Sequence, residues 1–348
     1  MDSVSIWPDP AGGWLGFFRR PSPPGALYDR ALVAHSDDGL HWDDFRFTAP
    51  IGDRSTVFCD PFRGRWVYAL RDYDGGCRIR RFRAFRDLLS GADWSPDAPS
   101  TCLRCGPDEP NPYGACAPQV YNTDAQPYES LMLGMLQIWY GPDNETCLRA
   151  GMPKRTELQL MLSRGGESFT RLTDRNLICA SDDPDAWDRG YIQSVTGGII
   201  PCEDETRLYY VGFRGDPNRI TASERTNGMY SGGALGVATL RRDGFVSAQT
   251  ESCGILLTEA LRSDHTRYLF VNMDGALQAE LLDADGTTLA CSAWQELRGT
   301  RLQVAFPSGA AMPAPKQPFR IRFHIRQGSL YSFWMTDSPT GDSCAVWS

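Results

Sequence analysis

Two stretches decide the fold: residues 3–19, SVSIWPDPAGGWLGFFR, and residues 55–71, STVFCDPFRGRWVYALR. Each is an apolar strand, then Asp-Pro, a Gly-containing turn, and a Trp-led strand ending in Arg. Asp9-Pro10 matches Asp60-Pro61, Trp14 matches Trp66, and Arg19 matches Arg71. Proline fixes φ for the turn and glycine supplies positive φ. Two weaker copies follow: Gln119–Tyr128 leads through Glu129-Ser130 into LMLGMLQIWY, and Tyr191–Pro201 leads through an acidic turn into RLYYVGFR. The four hairpins start near residues 2, 53, 117 and 190. A repeat at this spacing is the mark of stacked or radially arranged units.

A third strand follows each hairpin. The segments are ALVAHSDDGLHW, CRIRRFRAF, LQLMLSRGGESF and ALGVATLRRDG. The first carries an S-x-D-G-x-x-W turn over Ser36, Asp38, Gly39 and Trp42, and Ser163, Gly166 and Phe169 fall in the same frame. An Asp carboxylate there accepts backbone N–H bonds, glycine takes the left-handed conformation, and the aromatic ring is expected to pack between units. Asp38 is therefore read as structural. Gly (34) and Pro (24) punctuate the chain throughout, and no long amphipathic helix is legible, so the fold class is all-β. Four units of three or four short strands fit β-propeller blades. Residues 1–245 are the expected propeller, with Phe245-Val246-Ser247 closing its last blade. From 246 to 348 the texture changes to long alternating strands such as YLFVNMD, LQAELLDADG and FRIRFHIRQGSLYSFW, expected to form a β-sandwich. Its expected core is Leu269, Val271, Leu277, Ala279, Leu281, Ile321, Phe323, Ile325 and Tyr331.

Bulk properties exclude several functions. The net charge of −8 repels phosphate backbones and argues against nucleic acid. No run approaches the roughly 18 apolar residues of a membrane span. The start shows neither a basic segment nor a long apolar one, so the chain as it stands reads as cytoplasmic, and as secreted if a leader preceded it. Eleven cysteines cannot all pair within one chain, and Cys102-x-x-Cys105 has no second half at zinc-finger spacing, so reduced thiols packed as small apolar residues are expected. His35, His41, His265 and His324 show no metal-ligand spacing, and no phosphate loop or nucleophile elbow is present.

The runs DRSTVFCDPFRGRWVYALRD, QVYNTDAQPYESLMLGMLQIWYG and WDRGYIQ, with the tail LGVATLRRDGFVSAQ…LLT…LLDADG…IRFHI…LYSF, together resemble glycosyl-hydrolase-like proteins of the five-bladed β-propeller superfamily, the group of families 32 and 43. Four of the five blades implied are recognisable, and the Asn-Asp-Pro-Asn opening of family 32 is absent. A nucleophile in a blade missing from this chain would leave it incomplete as an enzyme. The resemblance implies a glycoside hydrolase acting on an oligo- or polysaccharide, or else a non-catalytic glycan-binding relative. Neither needs an organic cofactor. No metal ligands are assigned, and an axial calcium stays open.

Glycoside cleavage needs one protonated carboxyl for the leaving oxygen and one ionised carboxylate. In a propeller the inner strands converge on one axis, so their starts offer Asp2, Asp53, Asp124 and Asp188, with Glu129 and Glu157 near later strand ends. Asp53, beside Arg54, heads the best-formed blade; it is either catalytic or a turn cap. Asp124 lies in the polar run Tyr121-Asn122-Thr123-Asp124-Ala125-Gln126, which has reason to be polar if it faces a cavity, or if it forms a hydrogen-bonded core network. Glu129 is either the acid or a hairpin residue. Asp53, Asp124 and Glu129 are thus the expected catalytic set, and Arg54, Arg71, Asn122, Gln126, Asp188 and Gln193 the expected substrate contacts. Arg71 is placed to brace a carboxylate. Arg78 and Arg80, alternating on one face, would suit acidic or multiply hydroxylated sugars, whereas Arg81 and Arg83 read as a solvated outer strand.

Overall fold

The computed structural model describes residues 3–20, 29–114, 116–150, 154–172, 175–215, 230–263, 268–307, 312 and 317–343. Asp2 and His265 lie outside the described residues. Apart from one short helix, α1 (Asn144–Ala150), the regular elements are strands. None of the described helix is long and apolar enough to cross a membrane.

The strands group as the repeat requires. One four-stranded sheet runs β1 (Val4–Pro8), β2 (Trp14–Arg20), β3 (Arg30–Ser36), β4 (Asp43–Phe47). A second runs β5 (Thr56–Asp60), β6 (Arg65–Asp74), β7 (Cys77–Phe85), β8 (Thr101–Leu103). The third is β9 (Gln119–Tyr128), β10 (Leu131–Gly141), β11 (Arg155–Ser163) and β12 (Thr170–Leu172). The fourth, β13 (Tyr191–Pro201), β14 (Glu205–Phe213) and β15 (Gly233–Arg241), is joined to the third by one parallel pair, Thr156 with Tyr191. These are up-and-down antiparallel blades, so the fold is an all-β propeller type. The fourth blade has three strands among the described residues. Phe245-Val246-Ser247 does not close it but links β15 to the next strand.

Local chemistry sets the hairpins. Asp9 Oδ1 accepts the Ala11 N–H at 2.9 Å, and Asp60 Oδ1 accepts the Phe62 N–H at 3.1 Å, so both repeated aspartates cap their turns. In the Ser36 turn, Asp38 Oδ1 accepts the N–H groups of Leu40 and His41 at 2.8 and 2.7 Å, and Gly39 sits at φ 76°. These bonds hold the Asp38 carboxyl well below the usual range. The two aromatic residues in this frame differ. Trp42 packs edge-on to Phe18 of its own blade at 4.9 Å, contrary to the inter-blade role expected of it. Phe169 does bridge blades, lying 5.8 and 5.0 Å from Phe58 and Phe82. The difference follows from position: among the described residues the ring contact of Trp42 is with Phe18 of its own blade, while Phe58 of β5 and Phe82 of β7 lie beside Phe169.

Inner strands meet one another through polar side chains. Val57 donates its N–H to Ser5 Oγ at 3.4 Å, Thr56 Oγ1 donates to the Thr123 carbonyl at 2.6 Å, and Thr196 Oγ1 donates to Asp124 Oδ1 at 2.9 Å. The series returns to its start, for Ser5 Oγ and Thr196 Oγ1 are 3.4 Å apart. Outside this axis lies the apolar core, in which Phe17, Phe58, Val67 and Tyr68 are fully buried. Each such side chain contributes about 2 kcal/mol of transfer free energy.

The chain divides into two compact units: Met1–Ile199 with Leu208–Ala238, and Ile200–Arg207 with Thr239–Ser348. The second unit holds one antiparallel sheet, β16 (Ala248–Leu257), β20 (Arg320–Thr336) and β17 (Tyr268–Leu282), with β18 (Thr288–Cys291) and β19 (Gln295–Gln303) both on β17. Instead of two separate sheets, the described residues form a single five-stranded one. Its long strands slip register at Asn272/Met273 and Asp274/Ala276, and such bulges bend strands. At the bend only glycine fits, because a Cβ on Gly275 would lie 2.6 Å from Gly328 Cα. The alternation reads as expected: Leu277, Ala279 and Leu281 pair with Ile325, Phe323 and Ile321, all buried. Tyr331 is the exception, half-buried with the Arg241 guanidinium 4.7 Å over its ring.

Candidate functional site

Asp53 stands just before β5, and Arg54 follows in the left-handed region at φ 59°. A non-glycine residue there costs on the order of 1 kcal/mol, so the surroundings must hold it. Ser55 Oγ does so, donating to the Gly52 carbonyl at 2.8 Å and accepting the Arg71 N–H at 3.1 Å. The turn sends Asp53 and Arg54 into different surroundings. Arg54 is buried, donates to Tyr230 Oη at 3.0 Å, and lies 5.9 Å from the ring centres of both Tyr191 and Tyr230.

The two arginines that end the repeated hairpins converge on Asp53. Arg71 Nη1 is 3.0 Å from Asp53 Oδ2, and Arg19 Nη1 is 3.3 Å from Oδ1. Burial alone would raise this carboxyl, but Arg71, Arg54 and Arg19 outweigh it and hold it below the ordinary carboxylate range. Asp53 is therefore ionised at neutral pH. Its side chain remains 36% exposed, open to a cavity of about 490 Å³. That volume suits a small-ligand cleft, which spans roughly 300–1,000 Å³.

The cavity has an aromatic floor and cationic sides. Tyr121 and Trp139 supply the rings. The Arg71 guanidinium lies 4.3 Å over Tyr121, and Arg78 is 5.5 Å from Tyr121 and 4.9 Å from Trp139. Lys154, at the head of β11, is 5.5 Å from the Tyr121 centre and only 4% exposed. Burial pushes the Lys154 ammonium down, with Arg78 and Arg71 adding to it. Burial would raise the Tyr121 phenol, but Lys154, Arg71 and Arg54 more than offset this and lower it. On the rim, Asp143 caps α1, taking the Thr146 N–H on Oδ1 and the Thr146 hydroxyl on Oδ2, each at 2.9 Å. Glu145 also lines the rim; its neighbour Arg149 is 3.8 Å away on the surface.

The other sequence-derived residues lie elsewhere. Asp124 is buried on the axis and accepts from Asn122 Nδ2 at 3.0 Å, Ser194 Oγ at 2.5 Å and Thr196 Oγ1 at 2.9 Å. Burial raises its carboxyl against these donors. Asn122 also accepts from Arg80 at 3.3 Å, and Gln126 spans to the Ile199 backbone at 2.7 and 3.1 Å. This polar strand is thus a hydrogen-bonded network between β9 and β13. Glu129 occupies the β9–β10 turn at φ 49°, eight residues along from Tyr121, or roughly 26 Å at strand rise. Asp188 accepts from Tyr210 Oη at 2.9 Å, beside Trp187 stacked on that ring. Gln193 is half-buried on β13. Of the expected set, Asp53 and Arg71 come together on the cavity; Arg54, Asp124, Glu129, Asp188, Asn122, Gln126 and Gln193 do not line it.

Arg80 is fully buried behind Tyr121, where it donates to the Tyr121 carbonyl. Arg83 is also buried, donating to the Ala98 and Pro96 carbonyls, and does not belong to a solvated strand; Arg81 is half-buried, bonded to Asp72 at 2.7 Å. Lys154 and Trp139 escaped the sequence reading, and Tyr121 entered it only as part of the polar run. One signal was available: lysine occurs only at 154 and 316, so a lysine in so arginine-rich a chain marks its position. Among the described residues no group of three or more His, Cys, Asp or Glu is placed to hold a metal ion.

No family model and no curated protein matches the sequence. Solved structures do. The chain is similar to β-propeller glycoside hydrolases. They include a xylan β-1,4-xylosidase from Bacillus halodurans (9% identity, 97% of this chain and 87% of that one, TM-score 0.38) and a family 32 β-fructofuranosidase from Bombyx mori (10%, 96% and 90%, TM-score 0.39). An N-acetylgalactosamine deacetylase from F. plautii, solved with blood group B trisaccharide, is 14% identical over 69% of this chain and 72% of that one, with a TM-score of 0.46.

Proposed function

We propose that this protein is a glycoside hydrolase whose reacting centre is the cavity at Asp53. The observation that carries the reading is an ionised carboxylate, fixed by Arg71 and Arg19, facing an aromatic-floored cleft of sugar size. Aromatic faces accept the C–H faces of sugar rings, while charged donors orient hydroxyls. Cleavage requires a second, protonated carboxyl across the bond. Asp143 is committed to its helix cap, so Glu145 is the rim carboxyl available to protonate the leaving oxygen. Asp53 then serves as base or nucleophile, and Asp124 braces β9 against β13 without touching substrate.

A second reading, a glycan-binding propeller without turnover, is favoured by one feature. The acids that sequence placed with Asp53 are engaged elsewhere: Asp124 by Ser194, Thr196 and Asn122, and Glu129 at the far hairpin. Turnover of chromogenic pentosides, hexosides and uronides by the full chain separates the two. The hydrolase reading expects hydrolysis that drops about 100-fold or more in Asp53→Asn and substantially in Glu145→Gln. Binding without turnover would establish the second reading, and an Asp53→Asn variant as active as the parent would remove Asp53 from the chemistry.

A further inference from the structure

Lys154 and Arg78 flank the Tyr121 ring at equal distance, 5.5 Å each. Their bonding is incomplete. Arg78 spends Nη1 on Gln119 Oε1 at 2.7 Å, while its Nε is buried without a partner. Lys154 is 4% exposed and, among the described residues, makes no hydrogen bond or ion pair, yet it lines the cavity. Arg71, 4.3 Å over the same ring, is already bound to Asp53 and to the Tyr121 carbonyl. Removing an ammonium from water without an anion costs several kcal/mol. Among the described residues, the carboxylates on the cavity lining are Asp53, held by Arg71, Asp143, bonded to Thr146, and Glu145, exposed with Arg149 3.8 Å away; none is ion-paired with Lys154 or Arg78. Among the described residues, Lys154 and Arg78 thus line the cavity without an ion-pair partner of their own, in a chain of net charge −8.

We propose that the cavity selects an acidic saccharide, whose anionic substituent seats between Lys154 and Arg78 while its ring lies on Tyr121 and Trp139. This rests on the saccharide reading above and narrows it to sugars bearing a carboxylate, sulfate or phosphate. An ammonium and a guanidinium together suit a compact oxyanion, the guanidinium giving the bidentate geometry.

The test is titration of the full chain with digalacturonate, N-acetylglucosamine 6-sulfate and glucose 6-phosphate, each against the neutral disaccharide or sugar that lacks the charge, with inorganic sulfate alongside. One acidic sugar is expected to bind about tenfold or more tightly than its neutral counterpart, as a charge-assisted bond allows, and the three arms identify the oxyanion. Lys154→Met and Arg78→Gln should remove that preference while sparing the neutral sugar, and Lys154→Arg should restore most of it. Should Lys154→Met not fold, Arg78→Gln and loss of the preference on raising salt carry the same test. Equal binding of neutral and acidic sugars, or a preference that survives both variants, would overturn the acidic-saccharide inference and leave the saccharide reading in place. Inorganic sulfate binding with no sugar bound, or no binding at all, would overturn both.

Discussion

Asp53 carries its charge because three arginines surround it, and that dependence is measurable. Its carboxyl titrates below the ordinary value in the folded state, whereas in the unfolded chain it returns to about 3.9. The folded state thus holds fewer protons on this group as pH falls through the ordinary range. The stabilisation is fully present above that range and is lost as pH drops through the lower, folded value. The stability gap between the parent and Asp53→Asn, from urea unfolding, should be constant between about pH 5 and 7 and narrow below about pH 4. A gap independent of pH would mean that Asp53 is not the partner of Arg71 and Arg19. Sequence reading singled out Asp53 and Arg71 because a repeat makes their strand-end positions visible. It did not find Lys154, and met Tyr121 only as part of the polar run, because their meaning comes from Lys154 and Arg78 reaching the Tyr121 ring from distant parts of the chain, which no local spacing records.

At the level of the element, the blade contacts are testable at Phe169. It lies between Phe58 and Phe82 and is 8% exposed. Phe169→Ala should destabilise the first unit by about 3 kcal/mol, and Phe169→Leu by less than about 1.5 kcal/mol. Trp42→Ala, by contrast, removes a ring that packs on Phe18 within one blade and should not loosen contacts between blades. Equal effects of the two alanine changes on hydrogen exchange in β5 and β7 would contradict this division. The shared Ser-x-x-Gly frame made both turns legible in the sequence. Which ring reaches a neighbouring blade was not, since that depends on what stands beside each turn.

For the whole molecule, period and alternation were enough to set the architecture: four hairpins, their third strands, and a later region with longer strands. The single bent sheet of the second unit was not legible, because the bend comes from the close approach of Gly275 and Gly328, distant in sequence. The same limit explains the polar run of β9. Buried polar residues signal either a cavity or a network. Here Asn122, Asp124 and Gln126 form the network, and Tyr121 at the strand's head meets the cavity.

The most direct test of the central claim is a crystal structure of the Asp53→Asn variant with a bound acidic oligosaccharide. The account expects a sugar ring on Tyr121 and Trp139, its anionic group within hydrogen-bond distance of Lys154 Nζ and Arg78, and the side chain at position 53 beside a glycosidic oxygen or anomeric carbon. A saccharide seated instead at the bulge cavity of the second unit, lined by Asp274, Arg298 and Tyr331, with the Asp53 cavity empty, would contradict it.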